Sequence, residues 1–271
     1  MKSQKSNLTL TIGWLYPELM NTYGDRGNIT ILSKRCEWRG INAEIKHFDP
    51  GFSKDQLKKC DLLLMGGAQD KQQEIVNIDL KRIKTVLSKM IEDGVPGLYV
   101  CGGFQFLGKY YKEADGKVIE GLGIFDLYTE NPGQNSPRLI GNIAVKLNDL
   151  ELKGSGKNKI HNSRFMIHDS VVVGFENHGG RTYLGRKVKP LGKVIKGFGN
   201  NGKDGFEGAI YKNSFGTYLH GPILPKNPHF SDALLNLALK RKYKKFDLDI
   251  LDDILDNQAH TAIAKRLQVE I

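Results

Sequence analysis

The stretch Gly97-Leu98-Tyr99-Val100-Cys101-Gly102-Gly103-Phe104-Gln105 decides how this chain folds. Its first four residues are an apolar run that meets a glycine-rich turn, the pattern of a short buried strand. Phe104 to Tyr111 then reads as the start of a helix. A strand that breaks sharply into a helix holds Cys101 on an elbow, with its sulfur accessible at the end of a sheet. Gly102 and Gly103 allow the strained turn and leave room for a substrate. The positive end of the following helix favours the thiolate, the reactive form of cysteine. An isolated cysteine usually packs as a small hydrophobe; two glycines and an amide side chain directly behind Cys101 argue against that here.

Upstream of the elbow, strand and helix signals alternate. Leu8 to Leu15, Ala43 to Phe48 and Asp61 to Met65 have the character of strands. Asn28 to Arg39 and the long amphipathic run Lys71 to Glu92 have the character of helices. This alternation predicts an α/β fold with a mostly parallel sheet covered by helices on both faces. Ligands in such folds bind beyond the carboxyl ends of the strands, where Gly66-Gly67 and Cys101 both fall. From about Ile119 short strands and glycine turns take over: Leu139 to Leu147, Ser170 to Glu176, Arg181 to Leu184 and Lys193 to Phe198. Gly208 to Tyr211 and Phe215 to Leu219 then form a hairpin that returns to the core, and Phe230 to Lys242 a helix. We expect one domain over 1–242 and a helical C-terminal extension over 243–271.

Composition narrows the function classes. Of 271 residues, 39% are hydrophobic, enough for a substantial core. Three cysteines, Cys36, Cys60 and Cys101, form no paired spacing, and the polar N-terminus is no secretory leader, so a reducing cytoplasm is expected. No apolar run is long enough to span a membrane. The formal charge of +10 invites a nucleic-acid reading. However, its densest patch, Lys240 to Lys245, closes a helix, where cations complement the dipole, and no nucleic-acid motif accompanies it. We therefore expect no nucleic-acid partner. No metal site is expected either, because the histidines and spare cysteines lack ligand spacing.

A nucleophilic cysteine needs a base, and the candidates are the histidines at 47, 161, 168, 178, 220, 229 and 260. His220 ends the hairpin strand and precedes Gly221-Pro222-Ile223-Leu224-Pro225, so like Cys101 it sits just beyond a strand end. A Cys–His pair assembled from distant positions is the arrangement for acyl transfer. His178, in Phe175-Glu176-Asn177-His178-Gly179-Gly180, reads as structural or substrate-lining, with Asn177 or His178 holding the loop. The developing oxyanion needs unobstructed N–H donors, and Gly67 and Gly102 offer one each.

Cys101 to Gln105 with a distant His220 resembles class I glutamine amidotransferases, in particular their cobyric-acid-synthase-like branch. Closer still is its subgroup of glutaminase subunits that serve lipid II isoglutaminyl formation. Four segments carry the resemblance: Tyr23 to Asn28, Cys101 to Gly108, Phe175 to Tyr183, and Gly216 to Asn227. The first could also be only a helix-entry turn capped by Asp25 or Asn28.

The resemblance implies a three-layer sandwich and a glutaminase with Cys101 as nucleophile and His220 as general base. Gln105 would help seat L-glutamine. Arg138, in Ser136-Pro137-Arg138, corresponds to a family arginine linked to glutamine binding, and its planar fork suits a substrate carboxylate. Ammonia would pass to a Mur-ligase-like synthetase subunit in a heterodimer, to amidate the α-carboxylate of D-glutamate in the peptidoglycan stem. ATP and magnesium are expected on that partner and no cofactor on this chain, which has no G-x-x-x-x-G-K-[ST] loop. The lipid-linked acceptor would bring the protein near the inner face of the membrane. One departure stands out: the glutamate that many relatives carry two residues after the histidine is Pro222 here. The orienting acid is then an in-chain residue such as Glu176 or Asp169, or a residue of the synthetase partner. A cobyrinate-type acceptor, or a non-catalytic basic binding module, are the competing readings. The extension after Lys242 would pack on the domain, contact the partner, or touch anionic lipid.

Overall fold

Every residue of Leu62–Met65 and of Gly97–Val100 is buried, the signature of parallel strands covered on both faces. The computed structural model describes residues 8–68, 70–148, 170–244 and 246–271. In chain order the first half comprises β1 (Thr9–Leu15), α1 (Arg26–Glu37), β2 (Asn42–Phe48), α2 (Lys54–Leu57), β3 (Leu62–Met65), α3 (Asp70–Glu92), β4 (Gly97–Val100) and α4 (Gly102–Leu107). The second half is richer in strands: β5 (Tyr110–Lys112), β6 (Val118–Glu120), β7 (Leu127–Glu130), β8 (Leu139–Leu147), β9 (Val171–His178), β10 (Arg181–Leu184), β11 (Gly192–Lys196), β12 (Phe206–Glu207), β13 (Ala209–Tyr211) and β14 (Ser214–Thr217). Two helices follow, α5 (Pro228–Tyr243) and α6 (Ile254–Leu267).

The central sheet runs β13-β14-β4-β3-β1-β2. It is parallel except for the β13–β14 hairpin. One face is filled by Leu32 and Cys36 of α1 and by Phe230 and Leu234 of α5. Val76, Leu80, Ile83 and Leu87 line one stripe of α3 and fill the other face. Two smaller sheets, β10-β7-β5-β6 and β12-β11-β8-β9, flank this three-layer body. The parallel strands end together at Leu15, Met65, Val100 and Thr217.

The helix after the elbow is shorter than its sequence suggests. It stops at Leu107, and Tyr110–Lys112 is a strand paired with β6 and β7. Gly108 turns extended there, and a side chain on it would collide with Leu127. Aromatic Tyr110 and Tyr111 suit a pleated surface better than a helix end.

The extension packs back onto the body. Its α6 lies against β8 and β9, burying Ala264 beside Ala144 and Val173. Two guanidinium groups anchor it. Arg35 on α1, fully buried, meets both oxygens of Asp232 on α5 at 2.6 and 2.7 Å and both oxygens of Asp253, just before α6, at 2.7 and 3.0 Å. Arg39 adds a contact to Asp232 at 2.6 Å and another to the Asp249 carbonyl at 2.6 Å.

Candidate active site

Cys101 has φ 49° and ψ −106°, a left-handed conformation that side chains rarely adopt. Holding it costs about 1–3 kcal/mol, which the surrounding hydrogen bonds must offset. Its N–H donates to Thr217 O at 2.8 Å on the neighbouring strand, and its carbonyl accepts from Gln105 N at 2.9 Å in α4. Behind it, a Cβ on Gly103 would lie 2.8 Å from Met65 O, so only glycine lets α4 sit against the end of β3. The elbow read from the sequence is therefore formed, with Cys101 partly accessible. Cys36 and Cys60 are buried, and desolvation pushes both thiols up to about 12, which leaves them inert.

His220 lies beyond β14 and is fully buried. A two-way bridge to Phe175 on β9 fixes its backbone, with His220 N to Phe175 O at 2.7 Å and Phe175 N to His220 O at 3.2 Å. Gly67 sits between base and nucleophile: a Cβ there would be 3.0 Å from His220 Cε1 and 3.2 Å from Cys101 Cβ. Three expected site residues from three strand ends thus converge.

The acid facing the imidazole is Asp25. Its Oδ1 is 3.5 Å from His220 Nδ1, an ion-pair contact longer than a good hydrogen bond, with both side chains buried. Accordingly Asp25 Oδ1 and both ring nitrogens of His220 have no hydrogen-bond partner. Burial opposes charge on His220, but the Cys101 sulfur and the Asp25 carboxylate outweigh it and raise the imidazole to about 10. The imidazole is therefore held charged beside the sulfur.

This corrects the search for the acid. Glu176 is committed elsewhere, accepting from Phe198 N at 2.7 Å and Gly199 N at 2.9 Å. Asp169, like His161 and His168, lies outside the described residues. Asp25 makes no side-chain cap to α1, contrary to the turn-capping reading. A side chain on Gly27 would run into Pro222, so the α1 entrance occupies the space beside the loop after His220. Asn28 Oδ1 accepts from Leu224 N at 2.9 Å and locks the two segments together. The proline that removes the local acid thus seats the helix that supplies another. An aspartate beside a glycine in Tyr23 to Asn28 was the available sequence signal.

The oxyanion donors are not equally free. Gly67 N donates to Asp25 Oδ2 at 2.7 Å, so the acid caps one of the two N–H groups expected to face an oxyanion. Gly102 N opens α4 directly after the nucleophile.

Across the mouth, Arg138 is exposed just before β8. Its Nε donates to Asn177 Oδ1 at 2.8 Å and its Nη2 to Asn177 O at 3.0 Å. Arg181 is close by, donating to Gly179 O at 2.8 Å and Pro137 O at 2.6 Å. Neither arginine has an acidic partner among the described residues, so positive charge is left uncompensated here. Gln105 is buried and donates to the Tyr218 hydroxyl at 3.1 Å, placing it in the floor of the site. That hydroxyl continues to Thr182 at 2.6 Å, and Thr182 to Thr129 at 2.7 Å. His178 stacks on Tyr218 with centroids 3.6 Å apart and contacts the Gly180 carbonyl at 2.8 Å, the structural role its sequence suggested. Burial lowers its pKa, against the opposing pull of Glu176.

The sequence profile of the CobB/CobQ-like glutamine amidotransferase domain matches residues 11–228. A Staphylococcus aureus protein named lipid II isoglutaminyl synthase (glutamine-hydrolyzing) subunit GatD is 40% identical over 95% of this chain and 96% of its own length. Its namesake from Streptococcus pneumoniae is 42% identical over 92% of this chain and 88% of its own. A probable cobyric acid synthase from Methanothermobacter thermautotrophicus is 30% identical over 73% of this chain but only 37% of its own length. Among solved structures, a glutamine amidotransferase superposes with a TM-score of 0.50 at 16% identity, covering 84% of this chain and 98% of that one.

Proposed function

This chain belongs to the CobB/CobQ-like glutamine amidotransferase family, and from that premise we propose that it is the glutaminase subunit of a two-subunit lipid II isoglutaminyl synthase. The observation that carries the chemistry is the convergence of Cys101, His220 and Asp25 around the Gly67 backbone. With the thiol proton taken up by His220, Cys101 Sγ attacks the side-chain amide carbon of L-glutamine as a thiolate, and the carbonyl oxygen becomes an oxyanion that faces Gly102 N–H. Gly67 N–H joins it on release from Asp25 Oδ2. The charged imidazole of His220 gives its proton to the departing amide nitrogen, so ammonia leaves and a thioester remains. The neutral imidazole then takes a proton from water, whose oxygen attacks the thioester carbon. Glutamate leaves and the sulfur is regenerated. Asp25 stabilises the charged imidazole through its 3.5 Å contact.

The destination of the ammonia follows from the relatives. This chain is 40% identical to the Staphylococcus aureus subunit and 30% identical to the cobyric acid synthase, and the greater likeness favours the acceptor of the former. The partner is a Mur-ligase-like synthetase that uses ATP and magnesium to activate the α-carboxylate of D-glutamate in the peptidoglycan stem. The pair would work on the cytoplasmic side of the membrane, where the lipid-linked acceptor is reached; no described helix is long and apolar enough to cross a bilayer.

The test is glutamate release from L-glutamine and amide formation on lipid II, with and without the synthetase, for wild type and Cys101→Ala. Both products should require Cys101, and amidation should require the partner as well. Glutamate release that persists in Cys101→Ala would refute the thioester, and normal hydrolysis without lipid II amidation would refute the acceptor.

A further inference from the structure

Asn177 sits where three groups of the site mouth meet. Its Oδ1 accepts from Arg138 Nε at 2.8 Å, its main-chain carbonyl accepts from Arg138 Nη2 at 3.0 Å, and its Nδ2 donates to the Tyr23 hydroxyl at 2.7 Å. The orientation of the amide is forced, because a guanidinium can only donate and must face the oxygen. Tyr23 Oη therefore accepts from Asn177, and its own proton points elsewhere. Tyr23 is 46% exposed and held at φ 56°, and its ring meets the edge of His220 with centroids 5.0 Å apart. Arg138 keeps Nη1 free of acidic partners among the described residues, beside Gly179.

These contacts close a ring. Cys101 leads through α4 to Gln105, whose Nε2 would be 2.9 Å from a Cβ on Gly180; Arg138 Nη1 would be 3.4 Å from one on Gly179. From Arg138 the ring passes through Asn177 and Tyr23 to His220, back beside Cys101. The guanidinium and the phenol thus stand on the same side of the mouth, held at a fixed separation by one amide, each with a donor available.

We propose that Asn177 is a positioning residue that sets Arg138 and Tyr23 as a two-donor clamp for the α-carboxylate of glutamine. This rests on the glutaminase reading above. Arg138 provides the charge and Tyr23 the second hydrogen bond. Because the Tyr23 ring also packs on His220, capture of the carboxylate and placement of the base share one side chain.

The test is steady-state glutamine hydrolysis by the full chain with its synthetase, comparing wild type, Asn177→Ala, Asn177→Asp and Tyr23→Phe. L-Glutamine is compared with glutaminamide, whose α-carboxylate is replaced by a neutral amide. Loss of one or two charge-assisted hydrogen bonds corresponds to a rise in KM for glutamine of about 10- to 100-fold in Asn177→Ala. kcat should change much less, and KM for glutaminamide should barely move. Tyr23→Phe should raise KM for glutamine about fivefold. Asn177→Asp keeps the size and the acceptor for Arg138, so a merely structural Asn177 would tolerate it. As a clamp-setter it must not, because the new carboxylate takes both donors and repels the substrate. Its KM should rise at least as far as in Asn177→Ala. Wild-type kinetics in Asn177→Asp, or equal KM changes for the two substrates, would overturn the clamp while leaving the glutaminase intact. No Cys101-dependent hydrolysis in wild type would instead overturn the underlying reading, and the clamp with it.

Discussion

The two ends of α1 carry buried ionic clusters of opposite kinds. Near its C-terminus Arg35 is clamped by Asp232 and Asp253, and none of these side chains has a buried polar atom without a partner. At its N-terminal entrance Asp25 faces His220 at 3.5 Å, and Asp25 Oδ1 and both imidazole nitrogens are left without hydrogen bonds. Burial is similar and satisfaction is not. A saturated cluster has nothing left to offer a ligand, so the Arg35 clamp serves to join α1, α5 and the extension. The unsatisfied one holds donors and acceptors in reserve for a reacting group. One helix therefore ties the C-terminal extension to the carboxylate that faces His220.

That contrast can be broken by substitution. The largest effect belongs to Cys101→Ala, which should lower glutamine hydrolysis by about 10,000-fold or more with little change in thermal stability. Retained hydrolysis would dissolve the distinction at its reactive end. Next comes Asp25→Asn. The amide oxygen can still accept from Gly67 N, but the charge that supports the imidazolium is gone, so kcat should fall by about 1,000-fold in a folded protein. A loss within a fewfold would mean that another acid orients His220, and adding the synthetase partner to the assay would show whether that acid is supplied from outside.

At the other end of α1, Arg35→Met leaves Asp253 unpaired and Asp232 with Arg39 alone, and should destabilise the protein by about 3–5 kcal/mol in denaturant unfolding. The protein that remains folded should hydrolyse glutamine at close to the normal rate. A stable Arg35→Met protein without activity would show that the clamp reaches the site directly.

The smallest effect concerns a buried carboxyl on β12. Burial raises Glu207 from 4.5 to about 7, although it accepts from Thr217 Oγ1 and Tyr218 N, each at 2.7 Å. Its carboxyl keeps a proton in the fold that the unfolded chain would release. Stability should therefore fall as pH rises from about 4.5 to 7, by up to about 3 kcal/mol, and level off above that. Glu207→Gln should flatten this slope; an unchanged slope would mean that Glu207 is ionised in the fold.

How much of this was legible in the chain depends on the distance over which each feature is decided. Cys101 was plain because an elbow is local: an apolar run, a thiol and two glycines in succession fix the turn by short-range sterics. The parallel sheet was legible for a similar reason, since strands covered on both faces are apolar throughout. Helix α4 was overrun because it stops at Gly108, where any side chain would collide with Leu127, a neighbour nineteen positions away that local propensity does not register. His220 could be placed at a strand end, yet its acid could not be found by looking two residues further on.

The sequence by itself determined the class of fold and singled out Cys101 and His220 as candidates at strand ends, because each follows from residue type and local periodicity. Only the tertiary structure decided which carboxylate faces the imidazole, which N–H is already engaged, and that Tyr23, Asn177 and Arg138 adjoin. Those residues lie up to 154 positions apart in hydrogen-bonded pairs. Their meeting depends on where the parallel strands end and how α1 packs against the Pro222 loop, and neither is encoded within a single segment.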